Sequence, residues 1–176
     1  MKLLPWLFLC VSCAIAAPAA AADYSLNDGR VRFTVPSTWT AVMEKRGEDP
    51  QAIAFDVPDA APRDGGAIAS VTVKTRSLAA PTDFAASVQD EMQRAQAQPG
   101  YAADTPTTDP ARFRYTILRG TLRHAVEDRF VLLGDIAVQV RCQRPLSDAG
   151  TPAGAARFDG ECADVFASLR GASGAP

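Results

Sequence analysis

FVLLGDIAVQVRC, residues 130–142, reads as a β-hairpin. Phe130 to Leu133 run into Gly134-Asp135, a favoured two-residue hairpin pair, and the chain leaves it with Ile136, Val138, Val140 and Cys142 in alternation with more polar neighbours. Side chains two apart share one face of a strand, so Cys142 belongs to the apolar face of an antiparallel pair. Beyond Pro145 a Gly/Ala/Pro-rich loop to about Arg157 leads into a helix that Asp159 is placed to cap and Gly171 to close. Cys162, Val165, Phe166 and Leu169 recur at i, i+3, i+4 and i+7 and put Cys162 on the core face of that helix. Packing this face on the hairpin brings the sulfurs of Cys142 and Cys162 together.

Upstream, Phe113, Tyr115 and Ile117 alternate with Arg112, Arg114 and Thr116 in a further strand, and Gly120 is either the turn after it or a bulge. Residues 82–98 carry the clearest helical period: Phe84, Val88, Met92 and Ala95 fall on one face, with Thr82 as N-cap, Asp83 at the positive end of the dipole and Pro99-Gly100 as the stop. Residues 102–110 read as an exposed loop. Nearer the start, Val31, Phe33 and Val35 form a strand that Pro36 ends, followed by strands at 52–57 and 68–77 with a loop at 58–66 between them.

Residues 1–22 have the layout of a secretory leader: Lys2, an apolar stretch over 3–15, and Ala20-Ala21-Ala22 as an A-x-A site before Asp23. The apolar run is shorter than the ~20 residues that span a bilayer. Cys13 behind Val11 and Ser12 partly imitates a lipid-attachment site, but Cys10 stands where that pattern wants an aliphatic residue, and cleavage after Ala22 is the preferred reading. The expectation is a periplasmic or secreted chain, with residues 1–22 as signal peptide and 23–176 as a single α+β domain.

Removing 22 of 176 residues leaves 154, enough for one core, with 17 basic against 20 acidic residues and a net charge of −3. That balance excludes a dedicated nucleic-acid binder, which needs a basic surface. Cys142 and Cys162 are the cysteines left after cleavage, and in an oxidising compartment they are expected to pair.

The order of three strands, helix, three strands, helix gives an α+β class with an antiparallel sheet of about six strands packed with two helices. The corner Val35-Pro36-Ser37-Thr38-Trp39, the middle helix, the hairpin and a C-terminal helix ending in Ser168-Leu169 resemble the PsbP-like and DcrB-like superfamily over residues 24–170. The resemblance implies an α/β/α sandwich used for binding, assembly or inhibition in exported or lipid-anchored bacterial proteins and in chaperone or immunity proteins of secretion systems. It brings no signature of catalytic residues.

His124 is the single histidine, and a small envelope hydrolase would have to use it with Glu127 or Asp128; these neighbours are equally explained as the polar side of a strand. No cofactor and no metal are expected, since the calcium-loop spacing is missing and a second histidine is lacking. Arg30, Arg32, Lys74, Arg76, Arg112, Arg114 and Arg141 fall at outward positions if the apolar residues of their strands face the helices. Of these, Arg112, Arg114 and Arg141 are the candidate basic face for an acidic partner. The reading that follows is a non-catalytic exported protein that binds a protein partner in the envelope, as inhibitor, immunity protein or assembly factor. The hydrolase is the alternative; a structural or ligand-carrying envelope protein, which needs a large apolar cavity, is another.

Overall fold

The computed structural model describes residues 20–58, 68–104, 108–146 and 151–172. Cys10, Cys13 and most of the expected leader, 1–22, lie outside the described residues, as does nearly all of the expected 58–66 loop. Among these residues ten strands and two α-helices follow one another: β1 (Ala21–Leu26), β2 (Val31–Pro36), β3 (Thr40–Lys45), β4 (Gln51–Val57), β5 (Ala69–Ser77), α1 (Phe84–Gln96), β6 (Ala102–Ala103), β7 (Arg112–Arg119), β8 (Leu122–Leu133), β9 (Ile136–Pro145), α2 (Pro152–Ala167) and β10 (Arg170–Gly171).

The class is α+β, as expected, but the strands divide between two antiparallel sheets in place of one sheet of about six. The larger has seven strands in the order β3-β4-β5-β9-β8-β7-β6, and the smaller has three in the order β1-β2-β10. The hairpin of β8 and β9 turns at Gly134-Asp135, with Leu133 opposite Ile136 and Gly134 at φ +65°. Gly120, at φ +60°, is the turn between β7 and β8, which settles the choice between turn and bulge.

The larger sheet buries opposite faces at its two ends. Over β4, β5 and β9, Phe55, Val71, Val138, Val140 and Cys142 pack with Phe33 and Val35 of β2 and with Phe158, Cys162 and Val165 of α2. Over β7 and β8, Tyr115, Ile117, Val126 and Phe130 pack with Val88, Met92 and Ala95 of α1 on the other side. A helix is only ~10–12 Å wide and strands are ~4.8 Å apart, so one helix cannot cover seven strands. Each end therefore finds its own cover, and the apolar side of the alternation flips from β9 to β7.

Several local expectations shift for identifiable reasons. The second helix begins at Pro152, with the Thr151 side chain accepting from the Gly154 N–H at 3.1 Å; Asp159 lies inside the helix and is not its cap. Threonine followed by proline is a helix start, and the Gly/Ala/Pro composition hid it. That helix ends at Ala167, and Gly171 belongs to β10 beside Val31. Ahead of α1, Thr82 lies in a 3₁₀ turn (Pro81–Asp83) and is not the cap; Asp83 holds the N-cap position of α1, and its carboxylate accepts from the Ala80 N–H at 3.1 Å. Ala102–Ala103, inside the expected loop, pairs with Tyr115 and Thr116. β1 and β3 are additional strands: the first overlaps the leader motif, and the second carries a bulge between Ala41 and Met43 that breaks its alternation.

Cys142 and Cys162 form a disulfide with their Cα atoms 6.3 Å apart, joining β9 to α2. Ser168, just beyond α2, accepts from the Thr34 N–H at 2.9 Å, which ties the same helix to β2.

Candidate functional site

β7 and β8 extend the larger sheet past the edge of α2. On the side that carries α2, Thr116, Ala125 and Arg144 form one register row and Arg114, Glu127 and Cys142 the next. The short side chains of Thr116 and Ala125 sit among longer ones and leave a groove of about 140 Å³ against the helix. Two ion pairs border it: Arg114 on Glu127 at 2.6 Å and Arg144 on Asp159 at 3.4 Å. Phe158 and the Cys142–Cys162 disulfide supply its apolar lining. The disulfide ties α2 to β9 at the inner edge of the groove.

Glu127 is the centre of a fan of arginines. Arg112 reaches it bidentately at 3.0 and 3.1 Å, Arg114 at 2.6 Å, and Arg129 through its Nε. Burial alone would raise this carboxyl; hydrogen bonds from the three guanidiniums reverse that and hold it at about 2. Arg129 also lies over the Phe166 ring, 5.6 Å from its centroid, which anchors the fan to α2. Three guanidiniums thus converge on one carboxylate beside the groove, whose lining also includes Asp104.

Arg141 is not part of that surface. The register puts it beside Asp128 on the opposite face of the sheet, where Asp128 is fully buried. Its Nε and Nη2 each donate to the Asp128 carboxylate at 2.9 Å, and the Tyr115 hydroxyl (2.6 Å) and the Gln139 amide (3.0 Å) complete the set. Burial alone would lower the Arg141 pKa, but the Asp128 carboxylate holds it above its ordinary value; burial, with Asp128 adding to it, pushes the Tyr115 phenol up. The expected single basic face of Arg112, Arg114 and Arg141 therefore splits across two sides, because β7 and β9 turn their apolar residues in opposite directions.

Lys74 and Arg76 lie on the α1 side as well, with Arg94 of α1, all on Glu91; the Lys74 contact is 2.6 Å. Burial works to raise the Glu91 carboxyl, and these cations bring it below its usual value.

His124 is buried on the α1 face, and its Nδ1 lies 3.1 Å from the Gln143 amide. Burial lowers its pKa, and Arg119 adds to the effect. Glu127 is on the other face and Asp128 is taken by Arg141, so neither carboxylate orients the imidazole. Among the described residues no group of three or more His, Cys, Asp or Glu is placed to hold a metal, and no helix is long and apolar enough to cross a membrane. The groove is also well below the ~300 Å³ at which small-molecule pockets begin.

Thr116, Ala125, Arg144, Phe158 and Asp159 are groove residues that the sequence did not single out. Asp159 carried a cap assignment, and the two short side chains signal a hollow only once their long neighbours in the register are known.

No family model matches the sequence, and no curated protein does. Among solved structures, the Ran-binding protein Mog1p of Saccharomyces cerevisiae superposes with a TM-score of 0.56 at 10% identity, covering 86% of this chain and 95% of its own. The cyanobacterial PsbP of Synechocystis gives 0.48 at 13% identity over 91% and 97%. LpqN of Mycobacterium tuberculosis, described as involved in cell envelope biogenesis, gives 0.49 at 10% identity over 88% and 86%. At these identities the likeness is one of fold. The chain has the fold of Mog1p.

Proposed function

We propose that this chain is an exported, non-catalytic protein that binds an acidic segment of a protein partner through the groove between α2 and the β7–β8 end of the sheet. The carrying observation is the groove itself: α2 is braced to β9 by Cys142–Cys162, Arg114 and Arg144 line the groove with Asp104, Glu127 and Asp159, and Arg112 and Arg129 flank it on Glu127. A preformed, charged recess recognises a partner at low ordering cost. The groups best suited to acid–base chemistry are engaged elsewhere: Asp128 with Arg141 and Tyr115, Glu91 with Lys74, and His124 with Gln143. Mog1p, which has this fold, is a Ran-binding protein, and that precedent supports recognition of a macromolecule. The disulfide and the leader motif support an envelope location, with 1–22 removed and 23–176 as the working domain.

The test is site-specific photocrosslinking in envelope extracts. A crosslinker at Gly160, exposed on α2 next to Asp159, is compared with one at Gln96 at the far end of α1. The expected result is one discrete adduct from Gly160, lost in an R114E/R144E variant and absent from Gln96. Equal labelling from both positions, or an adduct indifferent to the charge reversal, overturns the reading.

A further inference from the structure

A second cationic feature lies on the outer face of the small sheet. Arg32 of β2 stands directly opposite Arg170 of β10 in the antiparallel register, and Ser25 of β1 is opposite Arg32 from the other side. Val31, Phe33 and Val35 point inward to the core, so Arg32 and its cross-strand neighbours point outward. One row across three strands thus presents a hydroxyl and two guanidiniums to solvent.

Like charges directly opposite on a sheet repel each other unless something neutralises them. Arg30 does not share the problem, because it pairs with Asp135. Arg32, however, has no acidic partner among the described residues; its Nε donates to the Gly29 carbonyl at 3.2 Å. Arg170 has only the exposed Asp23 at 4.0 Å. Asp23, Tyr24, Ser25, Arg32 and Arg170 enclose a shallow basin of about 370 Å³.

The geometry points to an oxyanion site in this basin that takes a phosphate-class dianion. Two planar guanidinium forks, each with paired N–H donors, match the charge and the oxygen edges of a phosphomonoester, and the Ser25 hydroxyl adds a donor in the same row. A lone carboxylate would neutralise only one of the two arginines. Asp23, long-range and solvent-exposed, is the group that yields when the ligand enters.

The test follows the arginine Nε–H resonances of the full chain during titration with inorganic phosphate and, separately, with acetate. Phosphate is expected to shift the Arg32 and Arg170 signals and leave Arg94 unmoved, to bind more tightly than acetate, and to weaken by about tenfold in R32Q and in R170Q. Both positions are exposed, and thermal unfolding of each variant checks that the fold is kept. Co-sedimentation with vesicles of phosphatidic acid or of phosphatidylcholine identifies the source: arginine-dependent binding to the former alone makes the phosphate a lipid headgroup, whereas response to inorganic phosphate without vesicle binding makes it a soluble one. Acetate binding as tightly as phosphate, or no response to either phosphate source, overturns the assignment.

Discussion

Arg141 lies edge-on against Asp128, donating two N–H···O bonds of 2.9 Å to a carboxylate that has no solvent exposure. The pair joins β9 to β8 beneath α1, and Tyr115 extends it to β7. It is a structural bolt across three strands.

Removing one partner leaves the other charge buried and unpaired. Arg141→Met is expected to cost about 3–5 kcal/mol, while R141M combined with D128L recovers much of the loss, since apolar replacement of a whole buried pair is often neutral or better. Urea unfolding of the two single variants and the double variant measures this; additive losses would contradict it.

Glu127 gives the fold an acid limb. Its carboxyl is held at about 2 against an ordinary value near 4.5, so the folded state favours the ionised form. That stabilisation is present above pH 4.5 and is lost as pH falls toward 2, by linkage about 3 kcal/mol before screening by solvent and salt. Thermal melts of wild type and E127Q between pH 2 and 6 are expected to show a shallower acid limb in the variant.

The disulfide spans 20 residues between β9 and α2. Opening it restores unfolded-chain entropy worth about 3 kcal/mol. Guanidinium titrations with and without reductant should show that loss in the wild type and none in C142S/C162S. The same double variant should also weaken any groove adduct, because α2 is no longer tied to β9 at the groove's inner edge.

Gly100 sits at φ +66°, and a Cβ there would meet Leu118 Cγ at 2.5 Å. Gly100→Ala combines a left-handed backbone with overpacking, and a loss of about 1–3 kcal/mol is expected. Gly47, also at positive φ but with nothing within 4 Å, is the control and should lose less.

β1 includes Ala21 and Ala22 of the A-x-A motif, which pair with Pro36 and Val35. A chain beginning at Asp23 keeps the pairs of Asp23, Tyr24, Ser25 and Leu26, including Tyr24 at 4.8 Å from the Phe55 ring centroid. If cleavage follows Ala22 as proposed, mass spectrometry of the protein from the cell envelope is expected to find Asp23 first, and its melting temperature should stay within a few degrees of the longer form.

Local periodicity determined what this chain could become. The Gly134-Asp135 turn, the apolar face of β9 and the stripe through Cys162 and Val165 each follow from nearest-neighbour stereochemistry, and together they foretold which cysteines meet. Thr151-Pro152 was equally local and was masked by composition. What no single strand could reveal is which way its alternation points, because that depends on what covers each side. Arg112 and Arg141 have the same local pattern, yet one borders Glu127 beside α2 and the other is locked onto Asp128 under α1. Only the tertiary structure decided this: α1 covers the β7–β8 end of the seven-stranded sheet on one face, the small sheet and α2 cover β4, β5 and β9 on the other, and the groove lies beside α2 where that second cover ends.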